Sequence, residues 1–319
     1  MTTKKQQPGE ALLGLISSRK WDKVKLEAKR NAMSVHLKST LNDFYSDQNP
    51  KMQQTRILPI HQAIKYGAPV EVLELFHDIN KEGVTKFETP HNRVALHICC
   101  IFCHNDNDSG SGGGGGDSAN SKIVAATATA TASSSNASTT SSNSNTSGKN
   151  KGIKSASSPI EIFTTIFNQN RRAIQHQDIL GRLPIHYALK HVASEEIVMK
   201  LIDEYPKCLT VADTNGWLPI HVACRVASPN TLPIHDDAQQ EYWIEVIKYM
   251  LLVCPHTVHK TTTKGLSVLQ LAKSSQNQKV IDVVEHFVKN INVNDTMEDD
   301  DAQFEEVSSI SHTLDDLKL

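Results

Sequence analysis

Apolar residues recur along this chain in short segments with helical spacing. Three segments carry them at positions i, i+1, i+4 and i+5: Ile162, Phe163, Ile166 and Phe167; Ile197, Val198, Leu201 and Ile202; and Val246, Ile247, Met250 and Leu251. That spacing places four side chains on one face of an α-helix, because a helix has about 3.6 residues per turn. A helix this short cannot bury such a face alone, so the pattern predicts helices that stack against similar neighbours.

A repeated tetrapeptide precedes these segments. Leu-Pro-Ile-His occurs at residues 58–61, 183–186 and 218–221. In each copy an alanine stands two positions after the histidine, and degenerate copies carry His97 and Gln270 at the histidine position. His61 and His97 are 36 residues apart, and His186 and His221 are 35 apart. The common spacing indicates an internal repeat with one register.

The prolines of these copies, Pro59, Pro184 and Pro219, predict where the first helix of each repeat begins. Proline is tolerated at the first helical position because its missing N–H would be unpaired there in any case. The sequence Asp-x-x-Gly stands ahead of two copies, at 178–181 and 213–216, and has the composition of a tight turn. Each repeat is therefore predicted to contain a turn, a first helix and a second helix.

Two spacings between successive copies, 89 and 49 residues, are longer than one repeat. Residues 105–157, a Ser/Thr/Asn/Gly/Ala tract, account for the first excess, and residues 228–240, a polar stretch with proline, account for the second. Both stand between the two helices of their repeat. We interpret the first as a flexible linker and the second as a surface loop.

The sequence G-x-L-P-I-H-x-A, preceded by D-x-x-G, resembles the ankyrin-repeat signature G-x-T-P-L-H-x-A. The resemblance covers residues 55–104 and 158–288, and by extension a divergent first helical pair at 10–38 that carries Trp21. It departs from the family where leucine replaces the threonine, so apolar packing is expected to replace the threonine hydroxyl's contact with the histidine.

The resemblance implies an all-α, ankyrin-type helical-repeat solenoid with a long disordered insertion and an acidic C-terminal tail. The predicted organisation is a disordered N-terminus (1–9), N-terminal repeats with basic capping helices (10–104), a flexible insertion (105–157), C-terminal repeats (158–290) and the tail (291–319).

The same resemblance implies a non-catalytic scaffold or adaptor that binds a partner protein through the concave face of the repeats, and no cofactor. In this family the residues that choose the partner flank the turns, which here indicates Arg56, Arg182, Tyr187 and Trp217. Trp217 is the first candidate, since tryptophan often dominates interface energetics. Packing on the neighbouring repeat is an equally open role for it. A monomer is expected.

The four histidines His61, His97, His186 and His221 occupy one equivalent position in successive repeats. Stacked helices lie about 10 Å apart, whereas zinc needs ligands that converge on one point. We therefore predict neutral histidines that hydrogen-bond the backbone between repeats.

A cysteine cluster offers an alternative function. Cys100, Cys103 and His104 form a C-x-x-C-H sequence beside Cys99, which favours a metal- or thiol-redox-sensitive regulator. The competing interpretation is that Cys99 takes the place of the repeat alanine and that Cys100 and Cys103 are apolar core fillers.

Charge is unevenly distributed. Residues 1–40 carry nine Lys or Arg against three acids, and residues 291–319 carry nine acids against Lys318. The basic segment is interpreted as the solvated face of a capping helix, with a nucleic-acid or membrane-surface tether as a weaker hypothesis; no nucleic-acid partner is expected. In the tail, charge repulsion predicts disorder around 298–301, and the helical spacing of the apolar residues in 304–317 suggests a short docking helix.

Composition adds two constraints. Aromatic residues are only 5% of the chain, which argues against one large aromatic core. No run of about eighteen apolar residues occurs and no secretory signal is recognisable, so the sequence predicts a cytoplasmic or nuclear protein that is not secreted and has no transmembrane segment.

Overall fold

The computed structural model describes residues 8–41, 44–45, 54–102, 157–227 and 237–291. These residues are mostly α-helical, which confirms the predicted all-α class. The helices, in chain order, are α1 (Pro8–Ser17), α2 (Trp21–Arg30), α3 (Met33–His36), α4 (Pro59–Lys65), α5 (Val70–Ile79), α6 (Ala95–Phe102), α7 (Pro159–Gln169), α8 (Pro184–Lys190), α9 (Glu195–Glu204), α10 (Pro219–Val226), α11 (Asp237–Val253), α12 (Val268–Ser275) and α13 (Gln278–Asn290).

The helices lie in two rows that follow chain order. The first helices of successive pairs contact one another, α1 with α4, α4 with α6, α6 with α8, α8 with α10 and α10 with α12. The second helices do the same, α2 with α5, α5 with α7, α7 with α9, α9 with α11 and α11 with α13. Each inner helix pair is therefore packed between the pair before it and the pair after it.

The predicted apolar stripes form the core between these rows. In α7 the four stripe residues are at most 3% exposed, and in α9 and α11 at most 1%. The alanines two positions after the repeat histidines, Ala63, Ala188 and Ala223, are fully buried where the first helices approach one another. Small side chains are required there because a larger one would separate the helices.

Helix starts follow the predicted chemistry. Pro59, Pro184 and Pro219 each occupy the first position of their helix, after a leucine with extended backbone. Helix α7 begins with a capping box instead. The Ser158 hydroxyl accepts from the Glu161 N–H at 3.3 Å, and the Glu161 carboxylate accepts from the Ser158 N–H at 2.8 Å. The proline removes one of the backbone N–H groups that a helix start leaves unpaired, and the capping box satisfies two of them.

Two features of the fold were not predicted. Short 3-10 helices, Arg171–Gln175, Pro206–Thr210 and Pro255–His259, follow the second helices α7, α9 and α11. Strand β1 (Ser39–Leu41) also pairs antiparallel with β2 (Thr55–Ile57). Strands of three residues are too short to show the alternation by which a strand is recognised in a sequence.

Several predicted boundaries are wrong by a few residues. Helix α1 begins at Pro8, inside the segment predicted as disordered, and α11 begins at Asp237, inside the predicted loop 228–240. Ser157, assigned to the insertion, has a defined position in which its hydroxyl accepts from the Val70 N–H at 2.9 Å. The rest of the insertion and the tail beyond 291 lie outside the described residues.

None of the helices described here has the length and apolar character needed to cross a membrane.

Candidate partner-binding face

Tight turns hold two of the candidate residues at equivalent positions. Asp178 Oδ1 accepts from the N–H groups of Leu180 and Arg182 at 2.8 and 2.9 Å. One repeat later, Asp213 Oδ1 accepts from the N–H groups of Asn215 and Trp217 at the same two distances. The carboxylates fix both turns, so the side chains of Arg182 and Trp217 start from matching backbone positions.

The glycines of these turns have backbone conformations that favour glycine, with φ of +70° at Gly181 and +72° at Gly216. Successive turns are joined by backbone hydrogen bonds, from the Thr214 N–H to the Leu180 carbonyl at 2.9 Å and from the Thr263 N–H to the Asn215 carbonyl at 3.0 Å. The turns therefore form a continuous row with fixed spacing.

Three of the repeat histidines connect their first helix to the following repeat, as the sequence predicts. Nε2 lies 3.1 Å from a carbonyl oxygen of the next repeat in His97, His186 and His221; the oxygens belong to Arg182, Trp217 and Lys260. Nδ1 of the same rings accepts from the backbone N–H three residues earlier, at 3.4, 3.1 and 3.0 Å. A ring that accepts at Nδ1 and donates at Nε2 is neutral, and both of its bonds are used structurally.

Burial keeps these rings neutral. It lowers the pKa of His97 to about 3 and the pKa values of His61 and His186 to about 4, and it also lowers the pKa of His221. In the first repeat the equivalent acceptor is the Lys86 carbonyl, and the Nε2 of His61 does not meet hydrogen-bond geometry with any described atom.

Basic residues recur one helical turn after the repeat histidines, at Lys65 in α4, Lys190 in α8 and Arg225 in α10. Residues four apart lie on the same side of a helix, so these three belong to one row along the first helices. Lys190 and Arg225 are exposed, whereas Lys65 is 8% exposed. The row is thus covered at its N-terminal end and open further along.

Phe44 and Phe102 cover Lys65. The Lys65 ammonium donates to the Phe44 carbonyl at 2.5 Å and lies 5.1 and 5.3 Å from the ring centroids of Phe44 and Phe102. Phe44 and its neighbour Tyr45 are buried, at 2% and 4% exposure, and their rings meet edge to face 4.8 Å apart. Their role was missed in the sequence, because nothing in the local pattern distinguishes this dipeptide from loop sequence.

A buried ionic cluster adjoins this dipeptide. The Arg93 guanidinium lies between the rings of Tyr45 and Tyr187, 4.7 Å from each centroid, and Arg93 Nε donates to the Tyr187 hydroxyl at 3.1 Å. That hydroxyl donates to Asp178 Oδ2 at 2.5 Å. Burial opposes ionisation of Asp178, but the Tyr187 hydroxyl, the backbone N–H groups of Arg182 and Leu180 and the Arg93 charge together lower its pKa.

The predicted exposure of Tyr187 is therefore wrong. Its side chain is 0% exposed, because the position after the repeat histidine faces the preceding repeat and is occupied by the contact with Arg93. Tyr187 positions the turn at Asp178 and offers no surface to a partner in this conformation.

Four residues make up what we call the open basic face: Arg182, Lys190, Trp217 and Arg225. Arg182 Nε lies 3.1 Å from Asp213 Oδ2, with its side chain 25% exposed. The Arg225 guanidinium lies 5.6 Å from the centre of the half-buried Trp217 ring. Burial, followed by the charges of Arg182 and Arg93, lowers the pKa of Lys190. Within the described ranges neither Lys190 nor Arg225 has an acidic partner.

The remaining candidate residues are not part of the open basic face. Arg56 is exposed on β2, where its backbone pairs with Thr89. Cys99 and Cys100 are fully buried in α6, and Cys103 and His104 lie outside the described residues. The described part of the chain contains no group of three His, Cys, Asp or Glu residues that could hold a metal ion.

The basic N-terminal segment forms an exposed helix surface. On α2, Lys23, Lys29 and Arg30 are exposed, and Lys25 pairs with Asp22 at 3.1 Å. Leu26 is 70% exposed on the same helix. This surface resembles the predicted polar face of a capping helix in its charge.

Comparison with known proteins gives little further information. No model of a protein family matches the chain, and no curated protein matches it. Among solved structures it is similar to a chain in the complex of a predatory endopeptidase with its immunity protein from Bdellovibrio bacteriovorus. The two chains are 11% identical with a TM-score of 0.48, over 89% of this chain and 99% of the other. A likeness of this size carries no functional argument.

Proposed function

We propose that this protein is a non-catalytic scaffold of the ankyrin-repeat type, a helical-repeat solenoid that binds a partner protein through its open basic face. Three features support the proposal: the repeated G-x-L-P-I-H-x-A sequence, the packing of helix pairs in chain order, and the histidine bonds between first helices and the following turns. Together they make a rigid support on which side chains of adjacent repeats are held at fixed spacing.

The observation that carries the proposal is the arrangement around Trp217. Its ring is half-buried, and the Arg225 guanidinium lies against it. On the preceding first helix, Lys190 is exposed at the position equivalent to Arg225. Tryptophan and arginine are the residues most enriched among those that dominate interface energies. Their fixed placement lowers the ordering cost that a partner's binding would otherwise incur.

The test compares full-length wild type with Trp217→Ala and with Leu26→Ala, which removes a large exposed side chain on another surface. Partners captured from a lysate and shared by wild type and Leu26→Ala are purified, and their Kd is measured by calorimetry. We expect Trp217→Ala to weaken binding at least tenfold with little change in Tm. An unchanged Kd would contradict the proposal, and a large fall in Tm would assign Trp217 to packing instead.

The alternative of a metal- or thiol-redox regulator gains no support from the described residues. Cys99 and Cys100 are 0% exposed, and buried thiols are generally unreactive. The third hypothesis, a tether through residues 1–40, requires binding that weakens steeply with salt. Binding that survives Lys23→Glu but not Trp217→Ala would argue for the open basic face against that tether.

A further inference from the structure

The open basic face presents cations that nothing in the described residues neutralises. Lys190 and Arg225 are exposed, and the acids of the turns that precede their helices already have partners. Asp178 is bonded to its own turn and to Tyr187, and Asp213 to its own turn and to Arg182. A positive surface of this kind attracts acidic groups, especially where the neighbouring surface is apolar.

The covered end of the same row shows how this chain binds one of its cations. Lys65 is equivalent to Lys190 and Arg225, and its ammonium is met by the Phe44 carbonyl and by two aromatic rings. The chain therefore already folds one of its own segments over this row. At the equivalent positions Lys190 has no such cover among the described residues, and Arg225 has only the Trp217 ring, 5.6 Å away.

The chain leaves the described structure close to the open basic face. The carbonyl of Ile291, the last described residue, lies 3.2 Å from His259 Nε2. The next residue along, Lys260, supplies the carbonyl that lies 3.1 Å from His221 on α10, the helix that carries Arg225. Residues 292–319 thus start about one repeat away from Arg225 on α10 and about two repeats away from Lys190 on α8.

The sequence that follows has the complementary charge and enough length. Nine acids fall in residues 291–319, seven of them in residues 295–306: Asp295, Glu298, Asp299, Asp300, Asp301, Glu305 and Glu306. Seven extended residues, from 292 to 298, span up to about 23 Å, which exceeds the roughly 20 Å of two helix spacings between the last pair and Lys190. Phe304 stands among these acids, as Phe44 stands at the covered end of the row.

We propose that the acidic segment 295–306 binds the open basic face of the same molecule, with carboxylates at Lys190 and Arg225. If the face is the partner site, as proposed above, the segment competes with the partner; that consequence rests on the proposed function, whereas the contact itself does not.

Zero-length cross-linking of the full-length protein tests the contact. A carbodiimide joins a carboxylate to a lysine amine only when the two touch, and mass spectrometry identifies the joined peptides. We expect Lys190 to be joined to the 295–306 segment in the monomer fraction, with the yield falling at least fivefold in 0.5 M NaCl because such contacts are screened. Lys190→Arg removes the product while keeping the charge, which confirms the assignment.

Two charge reversals provide matched variants. Arg225→Glu should lower the Lys190 product severalfold, whereas Arg172→Glu, at an exposed site on the 3-10 helix Arg171–Gln175, should leave it unchanged. Equal Tm values show that both variants fold. Tail products at the lysines of α2 instead, Lys190 products confined to dimers, or no tail product at all would each overturn the proposal.

Partner binding separates this inference from the proposed function. Replacing Glu298, Asp299, Asp300 and Asp301 by their amides in the full chain should tighten partner binding severalfold if both hold. Loss of binding in Trp217→Ala without any Lys190 product would leave the proposed function standing and reject the tail contact. A Lys190 product without any effect of Trp217→Ala on partner binding would support the tail contact and reject the proposed function.

Discussion

Three of the repeat histidines, His97, His186 and His221, each satisfy two buried backbone groups at once. In His186, Nδ1 accepts from the Leu183 N–H at 3.1 Å and Nε2 lies 3.1 Å from the Trp217 carbonyl. The first bond closes the start of its own helix, and the second joins it to the following turn. Removal of the ring would therefore leave two polar groups without partners.

We expect His186→Ala to lower the free energy of unfolding by about 2–6 kcal/mol, because it leaves two buried groups unsatisfied and each costs about 1–3 kcal/mol. His186→Gln should cost less, since Gln270 shows that a glutamine oxygen at this position can accept the N-cap N–H, here that of Ser267 at 2.9 Å. Urea unfolding measures the loss of unfolding free energy in both variants. Gln270→Ala is the matched control, because Gln270 is exposed in the last first helix; equal losses at the two sites would refute this account.

The same histidines should make the fold sensitive to acid. Their folded pKa values, about 3 for His97 and about 4 for His61 and His186, lie below the unfolded value of about 6.5. The unfolded chain therefore binds protons first as the pH falls. Stability contributed by the neutral rings is present above pH 6.5 and is lost between there and pH 4, by about 2 kcal/mol per histidine from pH 7 to pH 5.

Urea unfolding at pH 7, 6 and 5 checks this dependence. We expect His97→Gln to reduce the slope of the unfolding free energy against pH. His36→Gln, which changes an exposed histidine, is the control and should leave the slope unchanged. If the unfolding free energy of the wild type rises on acidification over this range, the repeat histidines are not held neutral in the folded state.

At the scale of elements, the turns depend on glycines in two different ways. Gly216 and Gly265 have φ of +72° and +74°, which any L-residue adopts only with strain. A Cβ on Gly216 would also lie 2.7 Å from the Thr263 N of the next turn, whereas a Cβ on Gly265 would meet nothing within 4 Å. Gly216 is thus needed for the stacking of turns as well as for the turn itself.

Gly265→Ala should therefore cost about 1 kcal/mol of unfolding free energy, the price of its positive φ alone. Gly216→Ala should cost clearly more, because the turn at residues 262–265 must also shift. Urea unfolding of both variants measures the two losses, and their difference is the free energy that depends on the contact between turns. Equal losses would mean that neighbouring turns adjust freely and that their hydrogen bonds add little stiffness.

The helical elements were predictable from sequence because their signals are local. Apolar residues spaced by four and prolines at helix starts are signals within one repeat, and the histidine spacing needs only the next copy of the same short sequence. The contacts of the candidate face are not local. Arg93 and Tyr187 are 94 positions apart, and Lys65 and Phe44 are 21 apart. Sequence patterns mark Tyr187 as a residue near a turn, but only packing shows that it faces the preceding repeat.

At the scale of the whole molecule, successive helix pairs pack in chain order even where the chain is interrupted. Helix α7 contacts both α6 and α5, although residues 103–156 separate α6 from Ser157. The Ser157 hydroxyl accepts from the Val70 N–H and so fixes the far end of the interruption against α5. The interruption can therefore be shortened without removing a described contact, provided that Ser157 is kept.

If residues 103–156 act as the flexible linker that their composition predicts, shortening them should stabilise the protein in a graded way. Each halving of a flexible loop recovers about 0.6 kcal/mol of closure entropy. Replacement by about 27 Gly/Ser residues should therefore raise the unfolding free energy by about 0.6 kcal/mol, and replacement by about eight residues by about 1.7 kcal/mol. Urea unfolding of the three proteins measures the series. Lower stability in both shortened forms would show that the replaced residues contribute contacts to the fold.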